Sequence, residues 1–202
     1  MTQPKIVGVC GPSGSGKTSL VSSLLDLSGL NIVVVPQDNF YFDRSSLEPE
    51  ILRKYNFDSI AAVDFDQMKK LVARLLVGET VYLPEYDFHS KQAREGTEPL
   101  SKADLILVEG TMIFQDDTLS NMLDLKILLD IDLDVCFIRR LLRDTRERGY
   151  SVQEVCDYYI KFVRPQNIMY SGMRKEVDFC ISESDPRSQS NELCSLISQL
   201  IS

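Results

Sequence analysis

An eight-residue segment near the start of the chain combines glycines, a lysine and a threonine at a spacing that suits phosphate chemistry. Residues 11–18 read GPSGSGKT and fit the pattern G-x-x-x-x-G-K-[ST]. Small residues let successive backbone N–H groups turn toward one anion, and the helix that follows directs its positive end at the same place. The lysine of such a loop reaches the β- and γ-phosphates, and its last hydroxyl binds Mg²⁺. The pattern therefore predicts a nucleoside triphosphate site with Mg²⁺, formed by Gly11, Ser13, Gly14, Ser15, Gly16, Lys17 and Thr18.

Two acidic residues follow apolar, strand-like segments. Asp38 comes after residues 32–35, and Glu109 directly follows residues 105–108. In an open parallel sheet, ligands bind outside the carboxyl ends of the strands. Phosphoryl transfer to an alcohol requires one carboxylate to accept the hydroxyl proton and another to hold Mg²⁺. We therefore expect both side chains at the phosphate site.

A third cluster is an arginine-dense segment. Residues 139–148 contain five arginines and two acidic residues, a local charge of +3 in a chain of net charge −8. One interpretation is an exposed helix with ion pairs such as Arg140 with Asp144. The other is a lid, about residues 139–165, whose cations cover the transferring phosphoryl group. We expect at least two of the arginines to contact phosphates or the acceptor.

The elements that must position these residues alternate between short strands and helices. Continuous apolar runs predict buried strands at residues 5–10, 32–35, 105–108, 127–129 and 179–181. Helical spacing is found at residues 18–27, 66–77, 132–148, 151–163 and 191–201. Pro165 is expected just past the end of the fourth helix. The alternation predicts an α/β fold whose parallel sheet is covered on both sides, with a hairpin insertion at about residues 80–100.

Length, composition and charge narrow the class of protein. A chain of 202 residues predicts a single domain, because domains average about 150 residues. The net charge of −8 argues against nucleic acid or an anionic membrane as the main partner. The longest aliphatic runs span four residues, against the roughly 20 that cross a bilayer. Five scattered cysteines predict a reduced, cytoplasmic protein, and the possibility of a homo-oligomer stays open.

Several stretches, taken in order, resemble one known family. Besides the loop, they are QDNFY at residues 37–41, NFD at 56–58 with Asp64, PEYDF at 84–88, VEG at 108–110 and the arginine-rich residues 139–149. Together they resemble the uridine–cytidine kinases, within the wider uridine kinase and phosphoribulokinase group, over residues 5 to about 181. The resemblance implies a P-loop kinase fold. Its sheet has five parallel strands with helices on both faces, and a small β-hairpin lies over the acceptor site.

The resemblance also implies roles for individual residues. Asp38 would be the general base on a ribose 5′-hydroxyl, assisted by Lys17 and Arg143, and Arg148 would join the lid over the phosphates. Thr18 and Glu109 would hold Mg²⁺. The acceptor would be bound by Tyr41, Asp64, Tyr86, Phe88 and Arg140.

Three positions depart from the family pattern, all of them in the implied acceptor pocket. Lys91 stands where the family usually has a histidine, Tyr150 where it has a basic residue, and Tyr158 where it has a glutamine. We expect ATP-dependent phosphorylation of the 5′-hydroxyl of uridine or cytidine. The alternatives are a kinase acting on another riboside or small alcohol, and a nucleotide-binding regulatory ATPase without an acceptor.

Overall fold

The computed structural model describes residues 3–168, 170–183 and 185–201. The strands of this part of the chain are β1 Lys5–Cys10, β2 Ile32–Pro36, β3 Val81–Tyr82, β4 Glu85–Asp87, β5 Gln92–Arg94, β6 Pro99–Leu100, β7 Leu105–Gly110, β8 Leu125–Leu129 and β9 Phe179–Ile181. Its α-helices are α1 Lys17–Ser28, α2 Pro49–Leu52, α3 Phe65–Leu76, α4 Asp117–Met122, α5 Leu133–Glu147, α6 Val152–Tyr158, α7 Arg164–Asn167, α8 Tyr170–Met173 and α9 Ser190–Ile201. Among the described residues, no helix has the length and apolar character needed to span a membrane.

The main sheet is parallel and has five strands in the order β2-β7-β1-β8-β9. Alternate residues of a strand face opposite sides, so Ile6 and Val7 of β1 belong to two separate apolar clusters. Helices α3 and α4 pack on one side, and α1 and α9 on the other. Burial on both faces explains why the strands read as continuous apolar runs. The predicted α/β fold with a doubly covered sheet is confirmed.

Local signals determine where the two helices nearest the site begin and end. Helix α1 starts after Gly16, whose φ is 99°, and ends at Gly29, whose φ is 64°. Both glycines adopt the left-handed conformation, which costs glycine little free energy because it has no Cβ. Helix α3 begins after Asp64, whose carboxylate accepts a hydrogen bond of 2.8 Å from the backbone N–H of Gln67. That contact is an N-cap, which satisfies one free N–H group of the first turn.

The predicted insertion at residues 80–100 consists of two antiparallel strand pairs, β3 with β6 and β4 with β5. Two side chains from the segment after β2 hold it in place. Asn39 Nδ2 donates to the carbonyl oxygen of Pro84 at 2.7 Å, and Asp43 Oδ2 accepts from the N–H of Ala93 at 3.2 Å. The hairpin is therefore fixed next to the carboxyl end of β2.

The expectation that helical structure ends before Pro165 is wrong. Helix α6 continues through a π-helical turn, Tyr159–Val163, directly into α7. A proline within continuous helical structure lacks the N–H that would bond to the preceding turn, and its ring presses against a carbonyl there, so a wider turn before it accommodates it. Pro165 lies in the first turn of α7, and the wider π turn before it marks the join between the two helices.

Candidate active site

A cavity of about 700 Å³ opens beside the carboxyl edge of the main sheet. It lies between the loop of residues 11–18, the hairpin and the helices α5 and α6. This volume is typical of a small-molecule site, and its position is where open parallel sheets bind ligands. The candidate site is therefore a cavity at this edge of the sheet.

The loop of residues 11–18 forms one wall of the cavity. The residues that line it are Ser13, Gly14, Gly16, Lys17 and Thr18. Gly14 has a φ of +88°, and a Cβ there would overlap the backbone oxygen of Cys136. Gly11 and Ser15 are buried behind this surface, and the N–H of Ser15 donates to the Pro12 carbonyl at 3.1 Å. The structure thus brings five of the seven predicted loop residues to the cavity and uses the other two to shape the loop.

The geometry of this loop suits an anion. The first turn of α1 has no side-chain hydrogen bond at its N-cap, Gly16, so no side chain competes for its N–H groups. Lys17 is only 9% exposed, and its Nζ donates to the carbonyl oxygens of Gly11 at 2.9 Å and Pro12 at 3.1 Å. These contacts hold a positive charge over the loop. The residues present therefore fit the triphosphate of a nucleotide.

Asp38 and Glu109 line the same cavity, at the ends of the neighbouring strands β2 and β7. Gln37 holds these strand ends together. Its side chain is fully buried; Oε1 accepts from the N–H of Met112 at 2.7 Å, and Nε2 donates to Thr111 Oγ1 at 3.4 Å. The two predicted carboxylates are thus brought together, and Gln37 is a positioning residue that the sequence analysis did not single out.

The surroundings of Glu109 suit a cation. Burial raises the pKa of Glu109 to about 7, against the lowering effect of Lys17, and the nearby Asp38 adds to the rise. Thr18 lines the cavity as well, and its hydroxyl is a hard oxygen ligand. Within the described residues, no cluster of three or more metal-ligating side chains is present. Two protein oxygens fit Mg²⁺, because this ion is usually bound by one or two protein groups together with phosphates and water.

Three arginines, in α5 or directly after it, surround one buried carboxylate. Asp144 is 3% exposed and lies 3.3 Å from Arg140, 2.8 Å from Arg143 and 3.5 Å from Arg148. Arg143 also donates to Ser13 Oγ at 3.3 Å, which brings it to the phosphate loop. Burial and the adjacent Arg143 lower the pKa of Arg148 from its usual value. The Arg140–Asp144 ion pair is present but buried, and contact of these arginines with phosphates or an acceptor stays a prediction.

Asp58 is the acidic partner of Arg140 at the other end of the cavity. Its two carboxylate oxygens accept from the guanidinium at 3.0 and 3.2 Å, and both residues line the cavity. Although burial opposes the charge, Asp58 and Asp144 raise the pKa of Arg140 above its usual value. Asp64, the aspartate named from the sequence, is instead the N-cap of α3, and the structure does not bring it to Arg140.

Four aromatic rings form a wall of the cavity, which we call the aromatic wall: Tyr41, Phe57, Tyr86 and Phe88. The ring of Tyr41 lies 5.2 Å from that of Tyr86 and 5.8 Å from that of Phe88. Such tilted and edge-to-face pairs stabilise one another, and all four residues line the cavity. The Tyr86 hydroxyl is buried without a partner among the described residues, and burial raises the pKa of this group to about 12.

The three residues that depart from the family pattern all line this cavity. Lys91 Nζ lies 3.0 Å from the hydroxyl of Tyr150, which joins the hairpin to the segment after α5. The Tyr158 hydroxyl accepts from the N–H of Phe57 at 2.9 Å, and the guanidinium of Arg140 lies over its ring. These three departures therefore lie outside the phosphate loop, on the side of the cavity formed by the hairpin, the segment after α5 and helix α6.

The fold and the site define the class of P-loop kinases. A glycine-rich phosphate loop, carboxylates at two strand ends, a helix of cations and a separate aromatic pocket share one cavity. The chain belongs to the Phosphoribulokinase / Uridine kinase family, whose model matches residues 6–181.

Individual relatives agree with this assignment. The chain is 37% identical to a uridine kinase of Listeria welshimeri over 183 residues, which cover 90% of this chain and 88% of the relative. It is 35% identical to a uridine kinase of Bacillus cereus, with 90% and 86% covered. The fold is similar to that of phosphoribulokinase from Rhodobacter spheroides, with a TM-score of 0.59, 18% identity, and 92% and 74% of the two chains covered.

Proposed function

We propose that this protein is a nucleoside kinase that transfers the γ-phosphoryl group of ATP to the 5′-hydroxyl of a pyrimidine riboside, uridine or cytidine. The observation that carries the proposal is the shared cavity, with a phosphate loop on one side and the Asp58–Arg140 pair and the aromatic wall on the other. The relatives named uridine kinases, at 35–37% identity over nine tenths of the chain, support the same acceptor.

The acceptor side of the cavity offers one partner for each part of a nucleoside. A carboxylate accepts hydrogen bonds from two adjacent hydroxyls, and a guanidinium donates to their oxygens. The Asp58–Arg140 pair would therefore hold the ribose 2′- and 3′-hydroxyls. The aromatic wall, with Tyr41 at its centre, would pack against the base. An ATPase without an acceptor would need neither feature.

In the proposed reaction the ribose 5′-oxygen attacks the γ-phosphorus of ATP. The bond between that phosphorus and the β–γ bridging oxygen breaks, ADP leaves, and Asp38 takes the proton of the hydroxyl. Lys17 and Arg143 would neutralise negative charge on the phosphoryl oxygens, since both line the cavity at the loop. Mg²⁺, when bound by Thr18 and Glu109, supplies further positive charge at the phosphates.

A panel of acceptors tests the proposal. The protein is incubated with ATP and Mg²⁺ and, in separate reactions, uridine, cytidine, adenosine, a sugar phosphate, glycerate or no acceptor. ADP formation and the phosphorylated product are both measured. We expect turnover with a pyrimidine riboside and a nucleoside 5′-monophosphate as product. ADP formation at the same rate without acceptor would support the ATPase alternative, and turnover only with a sugar phosphate or glycerate would support a different acceptor class.

A further inference from the structure

The strand ends that carry Asp38 and Glu109 extend beyond the hydrogen bonds of the sheet. The parallel register of β2 and β7 ends with the pair formed by Pro36 and Glu109. Proline has no backbone N–H, so Pro36 donates nothing to the neighbouring strand. The backbone ladder therefore does not hold Asp38, which lies past the last pair.

The side chain of Gln37 continues the connection beyond that point. It is fully buried, and its Oε1 accepts the backbone N–H of Met112, in the chain that follows Glu109, at 2.7 Å. A backbone N–H can only donate, so this bond fixes the direction of the amide, and Nε2 faces the Thr111 hydroxyl at 3.4 Å. Gln37 thus ties the end of β2 to the chain after β7.

Gly110 brings the two strand ends into direct contact. A Cβ at Gly110 would overlap the Oε1 and Cβ atoms of Gln37, so this approach requires a glycine. On the same stretch of chain, the buried Tyr170 donates its hydroxyl hydrogen to the carbonyl oxygen of Thr111. The chain that follows Glu109 is therefore held by two buried side chains from different elements.

We propose that Gln37 is a positioning residue for Mg²⁺, and that its amide fixes Glu109 relative to Asp38 so that the metal is bound tightly. The inference rests on the proposed function, in which Thr18 and Glu109 bind Mg²⁺ beside the nucleotide. Gln37 is buried behind the cavity surface to which Asp38 and Glu109 contribute, so it acts on the metal through them. Loss of a group that orients a metal ligand typically lowers metal affinity by about 10- to 100-fold.

The test measures metal binding directly, with Mn²⁺ as a paramagnetic probe in place of Mg²⁺ and ADP as the nucleotide. Electron paramagnetic resonance gives the Kd of Mn²⁺ for the protein–ADP complex, and a separate titration gives the Kd of ADP without metal. Gln37→Met keeps the length of the side chain and removes both hydrogen bonds. We expect this variant to bind Mn²⁺ about tenfold more weakly and metal-free ADP within about twofold of the wild type.

Two further variants separate positioning from packing. Gln37→Glu retains an oxygen that accepts the Met112 N–H, and the Thr111 hydroxyl can donate to its second oxygen, so Mn²⁺ affinity should stay within about threefold of the wild type. Gln115→Met is the matched control. The amide of Gln115 accepts from Gln166 of α7 at 2.9 Å, so its loss should leave Mn²⁺ affinity unchanged.

Gly110→Ala tests the same contact from the opposite strand, and its Cβ should displace the Gln37 amide and weaken Mn²⁺ binding as well. Wild-type Mn²⁺ affinity in Gln37→Met, or an equal loss in Gln37→Met and Gln115→Met, would overturn the inference. A parallel loss of metal-free ADP binding in Gln37→Met would also overturn it, because the role would then be structural. Each of these results leaves the kinase proposal intact, since that proposal fails only in the acceptor panel.

Discussion

Asp38, Asp58 and Asp64 carry the same functional group but differ in what their carboxylates contact. Asp38 is exposed to the cavity, and no salt bridge engages it within the described residues. Asp58 is held by two hydrogen bonds from Arg140, and Asp64 accepts from the backbone N–H of Gln67. A free carboxylate can take a proton, a paired one can orient hydroxyls, and a capping one stabilises a helix. The contacts therefore predict three different mutant phenotypes.

Replacing Asp38 tests its role as the general base. Asp38→Asn keeps the size of the side chain and removes its ability to accept the proton. We expect kcat to fall by about 10²- to 10⁴-fold, the usual contribution of general base catalysis, with ATP affinity within a few-fold of the wild type. Steady-state kinetics and a binding titration with ATP measure the two effects. A loss of ATP binding would contradict the assignment of Asp38 as the general base, because it would mean that Asp38 contributes to binding the nucleotide.

Asp58 and Asp64 provide a matched pair of variants. Asp58→Ala should raise KM for the nucleoside at least about tenfold while KM for ATP changes little, because in the proposed function the Asp58–Arg140 pair holds the nucleoside hydroxyls. Asp64→Ala should leave both KM values unchanged and lower the free energy of unfolding by about 1 kcal/mol, the usual cost of losing an N-cap. Kinetics and urea unfolding of both variants check this. An acceptor KM that responds to Asp64 would restore the original assignment.

The sequence could not show which of the two aspartates, Asp58 or Asp64, contacts Arg140. Both follow the aromatic segment around Phe57, and the sequence gives no sign of where the chain turns before α3. Only the resemblance implied Asp64, and no pattern in the sequence shows which carboxylate reaches Arg140, because that contact depends on how distant segments pack. By contrast, Asp38 and Glu109 follow strands that the apolar runs locate directly, and for that reason both were found.

At the scale of elements, the loop that precedes helix α1 and the end of that helix each contain a glycine with a positive φ, and the two glycines differ in their surroundings. Gly14 and Gly29 both have positive φ, but only Gly14 is tightly surrounded. A Cβ at Gly14 would overlap the backbone oxygen of Cys136 at the start of α5, whereas a Cβ at Gly29 would meet nothing within 4 Å. The phosphate loop is therefore pressed against the arginine helix, and the far end of α1 is open.

These two positions give a controlled test of the loop. Gly14→Ala should lower ATP affinity more than about tenfold and reduce the free energy of unfolding by about 1–3 kcal/mol, because backbone atoms cannot rotate away from the new methyl group. Gly29→Ala carries the cost of positive φ alone, about 1 kcal/mol, and should bind ATP normally. Denaturant unfolding and ATP titration of both variants are the measurements. Normal ATP affinity in Gly14→Ala would show that the loop can move away from α5.

Helix α5 shows what the spacing of residues in a sequence can and cannot reveal about a helix. Residues 140, 144 and 148 recur every four positions and predict one helical face with an acidic centre. The sequence alone could not say whether that face meets solvent or a ligand, because burial depends on the packing of distant segments. In the fold the face meets the cavity. Likewise, Pro165 reads as a helix end because periodicity does not reveal the π turn before it.

At the scale of the whole molecule, a continuous chain of polar contacts joins the acceptor end of the cavity to the phosphate loop. Asp58 binds Arg140, Arg140 binds Asp144, Asp144 binds Arg143, and Arg143 binds Ser13. The buried carboxylate of Asp144 is the only anion between the two arginines within this chain of contacts. Each ligand would engage one arginine, and both arginines share that carboxylate. Binding at one end should therefore favour the arrangement that the other end needs.

This connection predicts positive coupling between the two ligands. We expect a non-hydrolysable ATP analogue with Mg²⁺ to lower the Kd of 5′-deoxyuridine, which lacks the reacting hydroxyl, by at least about fivefold, and the nucleoside to lower the Kd of the analogue by the same factor. We call the ratio of a ligand's Kd without and with the other ligand the coupling factor. Asp144→Asn keeps the shape of the side chain and removes its charge, so the coupling factor should fall below about twofold. Isothermal titration of each ligand in the absence and presence of the other measures it.

Asp66→Asn is the control for this experiment, since Asp66 is an exposed partner of Lys69 on α3 and should leave the coupling unchanged. Because the coupling factor is a ratio of two affinities of the same preparation, a loss of stability in Asp144→Asn does not imitate a loss of coupling. A coupling factor that persists in Asp144→Asn would mean that the two ends communicate by another route, such as movement of the hairpin against α5. Unequal factors for the two ligands would violate thermodynamic reciprocity and point to a second binding site for one of them.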